Sequence, residues 1–234
     1  MKTALIIIDM QKGFINENTK HLAPKIVNFA KKQDFDLVIG TRYINSNYTA
    51  CHIYEGWDDC WEGSESAELV PEIKSICNEV VDKHEYSCWG SLLKSILKKY
   101  GIEKLVFCGV NTGCCVLASV FDAYDELWDI EVIENLCGST SGASSHKAGI
   151  QILRECITKS RVITVQSCEA PKYNVNDVVT CTVSKKGIYV PSICASYSRH
   201  TVEAIKSTSD GYIYVCDVDG YCFKESELEP VYEL

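Results

Sequence analysis

The 234-residue sequence has no apolar run approaching the roughly 18 residues that a membrane-spanning helix needs, and its N-terminal run Leu5-Ile6-Ile7-Ile8 stops at Asp9. Neither a transmembrane helix nor a secretory leader is expected. Basic runs are equally short: Lys31-Lys32, Lys98-Lys99 and Lys185-Lys186 are pairs without interleaved aromatics, and the net charge is -9. Nucleic acid and membrane are therefore not expected as partners. Internal repeats and low-complexity segments are also missing. Cysteine, by contrast, is abundant, with 14 residues scattered through apolar periodic segments. With no framework of loops for disulfides to staple, that scatter fits a reducing cytoplasm, with most thiols buried as small hydrophobes. A composition of 46% hydrophobic and 24% charged residues is ordinary globular usage. The length suits one large domain, or an ordinary domain with a small appendage.

Short apolar runs alternate with amphipathic stretches from the start: Ala4 to Ile8, then Leu22 to Lys32 with Pro24 in its first turn, then Leu37 to Gly40. The rhythm continues through Val80-Val81, a helix from about Gly90 to Tyr100 closed by Gly101, and a strand from Lys104 to Cys108. A helix from Thr112 to Leu127, a strand from Ile130 to Ile133, a helix from Ser144 to Cys156 and a strand from Arg161 to Val165 complete it. Six strands separated by helices predict a doubly wound, mainly parallel α/β sheet with helices on both faces, over residues 1–167. After Ala170-Pro171-Lys172 the texture changes. Hairpin signals at Lys186-Gly187, Asp210-Gly211 and Asp219-Gly220 predict a small β-rich appendage of four or five strands over 172–234, with a compact barrel as one form it can take.

Ligands bind open parallel sheets at the carboxyl ends of the strands. Asp9 ends the first strand, Lys83 follows Val80-Val81-Asp82, and Cys115 sits at a strand-to-helix junction in Gly109-Val110-Asn111-Thr112-Gly113-Cys114-Cys115-Val116. A thiol in a first helical turn beside an ammonium is favoured as thiolate, the form that attacks. A carboxylate can take the thiol proton and return one to a leaving amine. Backbone N–H groups at the helix start can receive an oxyanion. Singly, each residue has an ordinary explanation: Asp9 as a turn cap, Lys83 as a solvated charge, Cys115 as core packing.

Taken together, these segments resemble the isochorismatase-like cysteine hydrolases over about residues 2–166. Leu5 to Phe14 is similar to the family's opening strand with its aspartate. Lys83-His84-Glu85-Tyr86-Ser87-Cys88-Trp89 is similar to the lysine motif, which usually has Phe at the place of Trp89. The glycine-valine-x-threonine-x-x-cysteine-valine pattern falls on Gly109 to Val116 and selects Cys115, not Cys114. The resemblance implies an Asp9, Lys83, Cys115 triad cleaving a C–N bond of a small amide or carbamoyl compound through a thioester on Cys115. It also implies a cis peptide between Val110 and Asn111, with the N–H groups of Asn111 and Cys115 as the oxyanion hole.

Two departures stand out. Gly113 occupies a position where relatives often have Asp. Thr41-Arg42-Tyr43-Ile44-Asn45 supplies none of the metal ligands that the nicotinamidase branch carries there, so no metal and no other cofactor is expected. Isochorismatases that cleave a vinyl ether lack the cysteine, and hydrolysis of another small metabolite, or silent ligand binding on the same fold, stand as the alternative activities. Phe14, Trp89, Trp57 and Trp61 are candidates for an aromatic substrate wall, with core packing or a subunit contact as the other reading of each. A small-molecule substrate and a homo-oligomer are expected, with the appendage as a candidate contact to another subunit or partner. Cys181, Cys194, His200, Cys216 and Cys222 lack zinc spacing and read as ordinary packing.

Overall fold

The computed structural model describes residues 1–165, 176–181, 199–208, 211–217, 222–224 and 227–231. Contacts divide the chain into two compact units, Met1–Val165 and Gln166–Leu234. None of the described helices is long and apolar enough to cross a membrane.

The first unit contains β1 (Thr3–Ile8), α1 (Leu22–Lys32), β2 (Leu37–Tyr43), α2 (Ala50–Glu55), α3 (Pro71–Lys74) and β3 (Glu79–Lys83), followed by α4 (Ser91–Tyr100), β4 (Lys104–Val110), α5 (Leu117–Asp125), β5 (Asp129–Gly138), α6 (Ala143–Cys156) and β6 (Val162–Ile163). The six strands run parallel in the order β3-β2-β1-β4-β5-β6. From β1 the chain winds outward one way through β2 and β3, then returns to β4 and winds the other way. The switch point, where such sheets open a crevice, lies between β1 and β4. Residues Ala4 to Ile8 are all buried, as a central parallel strand covered on both faces demands. Helix α1 buries Leu22, Ala23, Ile26 and Phe29 along one stripe. Gly101 closes α4 in the left-handed conformation, at φ 67°, with its N–H on the carbonyls of Leu97 and Lys98.

Several boundaries differ from the periodicity: β2 and β4 run past Gly40 and Cys108, to Tyr43 and Val110. The helix expected from Thr112 starts as a π-type turn, Thr112–Val116, in which the Val116 N–H reaches back to the Asn111 carbonyl at 3.2 Å, and α5 follows it. Strand β5 outruns its apolar core because pairing resumes at Gly109↔Cys137 and Val110↔Gly138 after a register shift. Strand β6 is shorter than its apolar run. The stretch from Ile44 to Pro71, which the sequence leaves irregular, contains α2, stopped by Gly56 at φ 65°.

The second unit is an antiparallel sheet of β7 (Val178–Cys181), β8 (Arg199–Thr208), β9 (Gly211–Cys216), β10 (Cys222–Lys224) and β11 (Leu228–Pro230), in the order β10-β9-β8-β7-β11. Among the described residues no ladder joins β10 to β11. Val179, Val202, Tyr214, Cys216, Phe223 and Leu228 form its core. The β8–β9 pairing runs to Thr208↔Gly211, at the Asp210-Gly211 signal. The signals at Lys186-Gly187 and Asp219-Gly220, the segment Ala170-Pro171-Lys172, and Cys194 lie outside the described residues. His200 Nδ1 is 3.1 Å from the Asp217 carboxylate, Cys216 is buried and Cys222 is exposed. Among the described residues, no group of three or more His, Cys, Asp or Glu is placed to hold a metal ion.

Candidate active site

Asp9 leaves β1 at φ 48°, a left-handed conformation in which a short polar side chain is tolerated, and it is fully buried. Thr41 of β2 holds it twice: the Asp9 N–H donates to Thr41 Oγ1 at 3.1 Å, and the threonine hydroxyl donates to Asp9 Oδ1 at 2.7 Å. Lys83, at the end of β3, places its ammonium 2.8 Å from Asp9 Oδ2. The same ammonium donates to the carbonyls of Glu85 and Tyr86, each at 3.0 Å. A buried ion pair survives only when its remaining donors are satisfied, and the backbone after Lys83 curls back to do so.

Cys115 lies in the π-type turn beyond β4, buried against this pair. Burial first and then the Asp9 charge push the thiol well above its ordinary range; Lys83 pulls it down less strongly than either, and the hydrogen bond to Asp9 adds a smaller upward push. The surroundings therefore favour the thiol form of the nucleophile candidate beside the Asp9 carboxylate, because desolvation of the charged form outweighs the attraction of the lysine. Burial by itself would lower the Lys83 pKa, but the charge of Asp9 and the hydrogen bond to it overcome this and hold the ammonium charged.

The Val110–Asn111 peptide is cis. The Asn111 carbonyl accepts the N–H groups of Cys114 and Val116, and its side-chain oxygen accepts the Thr140 N–H at 2.7 Å. Gly109 precedes it at φ 112°, where a β-carbon would stand 2.2 Å from the Ile8 carbonyl oxygen, so only glycine lets β4 approach β1 here. Thr112 donates to the Gly138 carbonyl at 2.9 Å and accepts from His146 Nδ1 at 2.8 Å. Gly113 rests on Gly149 of α6, where a β-carbon on Gly149 would lie 2.8 Å from the Gly113 nitrogen. Close packing of the turn against α6 thus occupies the surroundings of Gly113.

The aromatic candidates separate. Phe14 stacks on Trp57 with centroids 5.6 Å apart, and Trp57 meets Tyr43 at 5.5 Å. The Lys83 ammonium lies 5.3 Å from the Tyr43 ring, which joins this group to the buried pair. Trp61 donates to Asp58 at 2.9 Å and sets its ring against His52. Trp89 instead packs edge-on against Trp128 at 5.7 Å and under Lys94, away from Phe14 and Trp57. His84, beside Lys83, donates from Nδ1 to the Ile44 carbonyl at 2.8 Å. Sequence reasoning passed over Thr41, Tyr43 and His146. Their partners lie dozens of residues away, and only Tyr43, aligned with Lys83 in the β2–β3 register, had a positional signal.

The Isochorismatase domain model matches residues 3–167, and the chain belongs to this hydrolase family. An uncharacterized isochorismatase family protein, YecD of Escherichia coli O157:H7, is 22% identical over 180 residues, covering 69% of this chain and 92% of that protein. Ureidoacrylate amidohydrolase RutB of Variovorax paradoxus (strain S110) is 33% identical over 91 residues, 38% of this chain and 35% of its own length. Among solved structures, an isochorismatase-like hydrolase from Alkaliphilus metalliredigens superposes with a TM-score of 0.61 at 22% identity, over 70% of this chain and 95% of that one.

Proposed function

We propose that this chain hydrolyses the C–N bond of a small amide or carbamoyl compound through a covalent thioester on Cys115. One observation carries the reading: a buried thiol lies beside a carboxylate that a lysine ammonium holds at 2.8 Å. The similarity to an enzyme named for amide hydrolysis supports the choice of bond.

As Cys115 sulfur attacks the carbonyl carbon, Asp9 takes the thiol proton. Lys83 stabilises the negative charge as it passes between sulfur and carboxylate. The carbonyl oxygen becomes an oxyanion received by the N–H groups of Asn111 and Cys115. Asp9 then gives its proton to the departing nitrogen, the C–N bond breaks, and the acyl or carbamoyl group remains on sulfur. Water, deprotonated by Asp9, attacks the thioester, and its collapse returns the proton to Cys115. Phe14, Trp57 and Tyr43 form the wall that selects a planar substrate, with Trp61 beside it; Trp89, packed on Trp128, supports the lysine loop from outside.

A panel of amides, ureas and carbamoyl compounds scored for ammonia release finds the substrate class. Intact-mass and peptide analysis after trapping with a reactive amide or aldehyde is expected to place the adduct on Cys115. An adduct on Cys114 alone, or full turnover in Cys115→Ala, would overturn the proposal.

A further inference from the structure

Between the lysine's loop and the nucleophile's turn lies a fully buried hydroxyl, Ser119 of α5. It donates to the Cys115 carbonyl at 2.7 Å and accepts the Cys88 N–H at 3.0 Å. The first bond is the ordinary return of a helical serine to the carbonyl one turn back. The second is not local, since Cys88 lies 31 residues away in sequence. Cys88 stands near the end of the loop that begins at Lys83, and the Lys83 ammonium already gathers the Glu85 and Tyr86 carbonyls of that loop. The loop is thus tied at its start to its own lysine and near its end, through one hydroxyl, to the backbone of Cys115.

We propose that Ser119 is a positioning residue that sets the distance between the Lys83 ammonium and the Cys115 sulfur, a role that rests on reading Cys115 as the nucleophile. The charged and titratable groups acting on that sulfur are Asp9 from the end of β1, Lys83 from the end of β3 and Cys114 in its own turn. Asp9 is held by Thr41 and does not depend on Ser119. Loss of the hydroxyl frees the lysine loop from the nucleophile's turn. The attraction of the ammonium for a thiolate weakens with distance, so the thiol ionises at higher pH.

The test needs no substrate. The full chain carrying Cys114→Ser is alkylated with iodoacetamide across alkaline pH, and the rate at the Cys115 peptide is followed by mass spectrometry. Ser119→Ala is expected to raise the midpoint by about one pH unit, a rate lowered by about tenfold below it. Ser119→Thr, which keeps the hydroxyl, is expected to restore the wild-type profile, and the exposed Cys156 serves as an unmoved control. An unmoved Cys115 midpoint in a Ser119→Ala protein that still melts cooperatively would overturn the proposal. If Ser119→Ala does not fold, Ser119→Cys, a similar volume with a weak donor, takes its place and is read by the same criterion. Turnover retained in Cys115→Ala would reject the thioester reading instead, and leaves the alkylation result to stand separately.

Discussion

At the ends of β1, β2 and β3, Asp9, Thr41 and Lys83 are buried and bonded to one another, and the glycine before the cis peptide admits no side chain. Residues 44–70 are built differently. Tyr48 and Tyr54 are 90% and 84% exposed, Ile53 is more than half exposed, and α2 meets the lysine loop at the surface, where the Tyr86 hydroxyl donates to Glu55 at 2.9 Å. The first region commits buried charge to one geometry, where any loss leaves an uncompensated group. The second presents exposed rings and a surface hydrogen bond, which tolerate change.

The difference can be broken from the buried side. Lys83→Met strands the Asp9 carboxylate and is expected to cost about 3–5 kcal/mol, read as a lowered denaturant midpoint. A loss under 1 kcal/mol would mean that Asp9 finds solvent, contrary to its burial. Gly109→Ala forces a β-carbon into the Ile8 backbone and is expected to cost about 3 kcal/mol or to prevent folding, which expression and circular dichroism would reveal.

Alkaline pH acts on the same buried interior more gently. Burial pushes the Cys88 thiol up to about 11 and Cys137 to about 12. The folded chain keeps these protons to a higher pH than the unfolded chain. Their stabilisation is therefore complete below the ordinary thiol range, near pH 8.5, and is lost as pH rises towards the folded values. Lys83, also raised, acts in the same direction above its ordinary range. Melting temperature is expected to fall steadily from pH 8.5 to 10.5; a flat profile would show that the thiols open to water.

If Phe14, Trp57 and Tyr43 form the proposed substrate wall, changes there act on substrate as well as on packing. Trp57→Ala removes the stack on Phe14 and Tyr43, with an expected stability loss of about 2 kcal/mol and a larger rise in KM than fall in kcat. Tyr86→Phe loses only the exposed bond to Glu55. A melting temperature within about 2 °C of wild type, with altered preference across the amide panel, is the expected outcome.

The one-letter pattern makes the sheet legible because burial on both faces imposes long apolar runs on β1 and β4, and the helices between them show their stripe directly. The end of β5 was not legible: Glu134 and Asn135 interrupt the apolar run, and the strand continues past them through the register shift. The candidate triad was legible only as three separate strand-end motifs. Nothing in their spacing states that the Glu85 and Tyr86 carbonyls hold Lys83, that Trp89 turns to Trp128, or that Ser119 reaches Cys88.

The sequence by itself determined the order of strands and helices, the placing of Asp9, Lys83 and Cys115 at strand ends, and the preference for Cys115 over its neighbour as the candidate nucleophile. The first two follow from local periodicity, and the choice of Cys115 from the motif resemblance. Tertiary structure decided the burial of Cys115 beside Asp9 and Lys83, the separation of the aromatic candidates and the bond that joins two loops across Ser119. Desolvation depends on everything packed around a group, and backbone donors and acceptors carry no letter in the sequence.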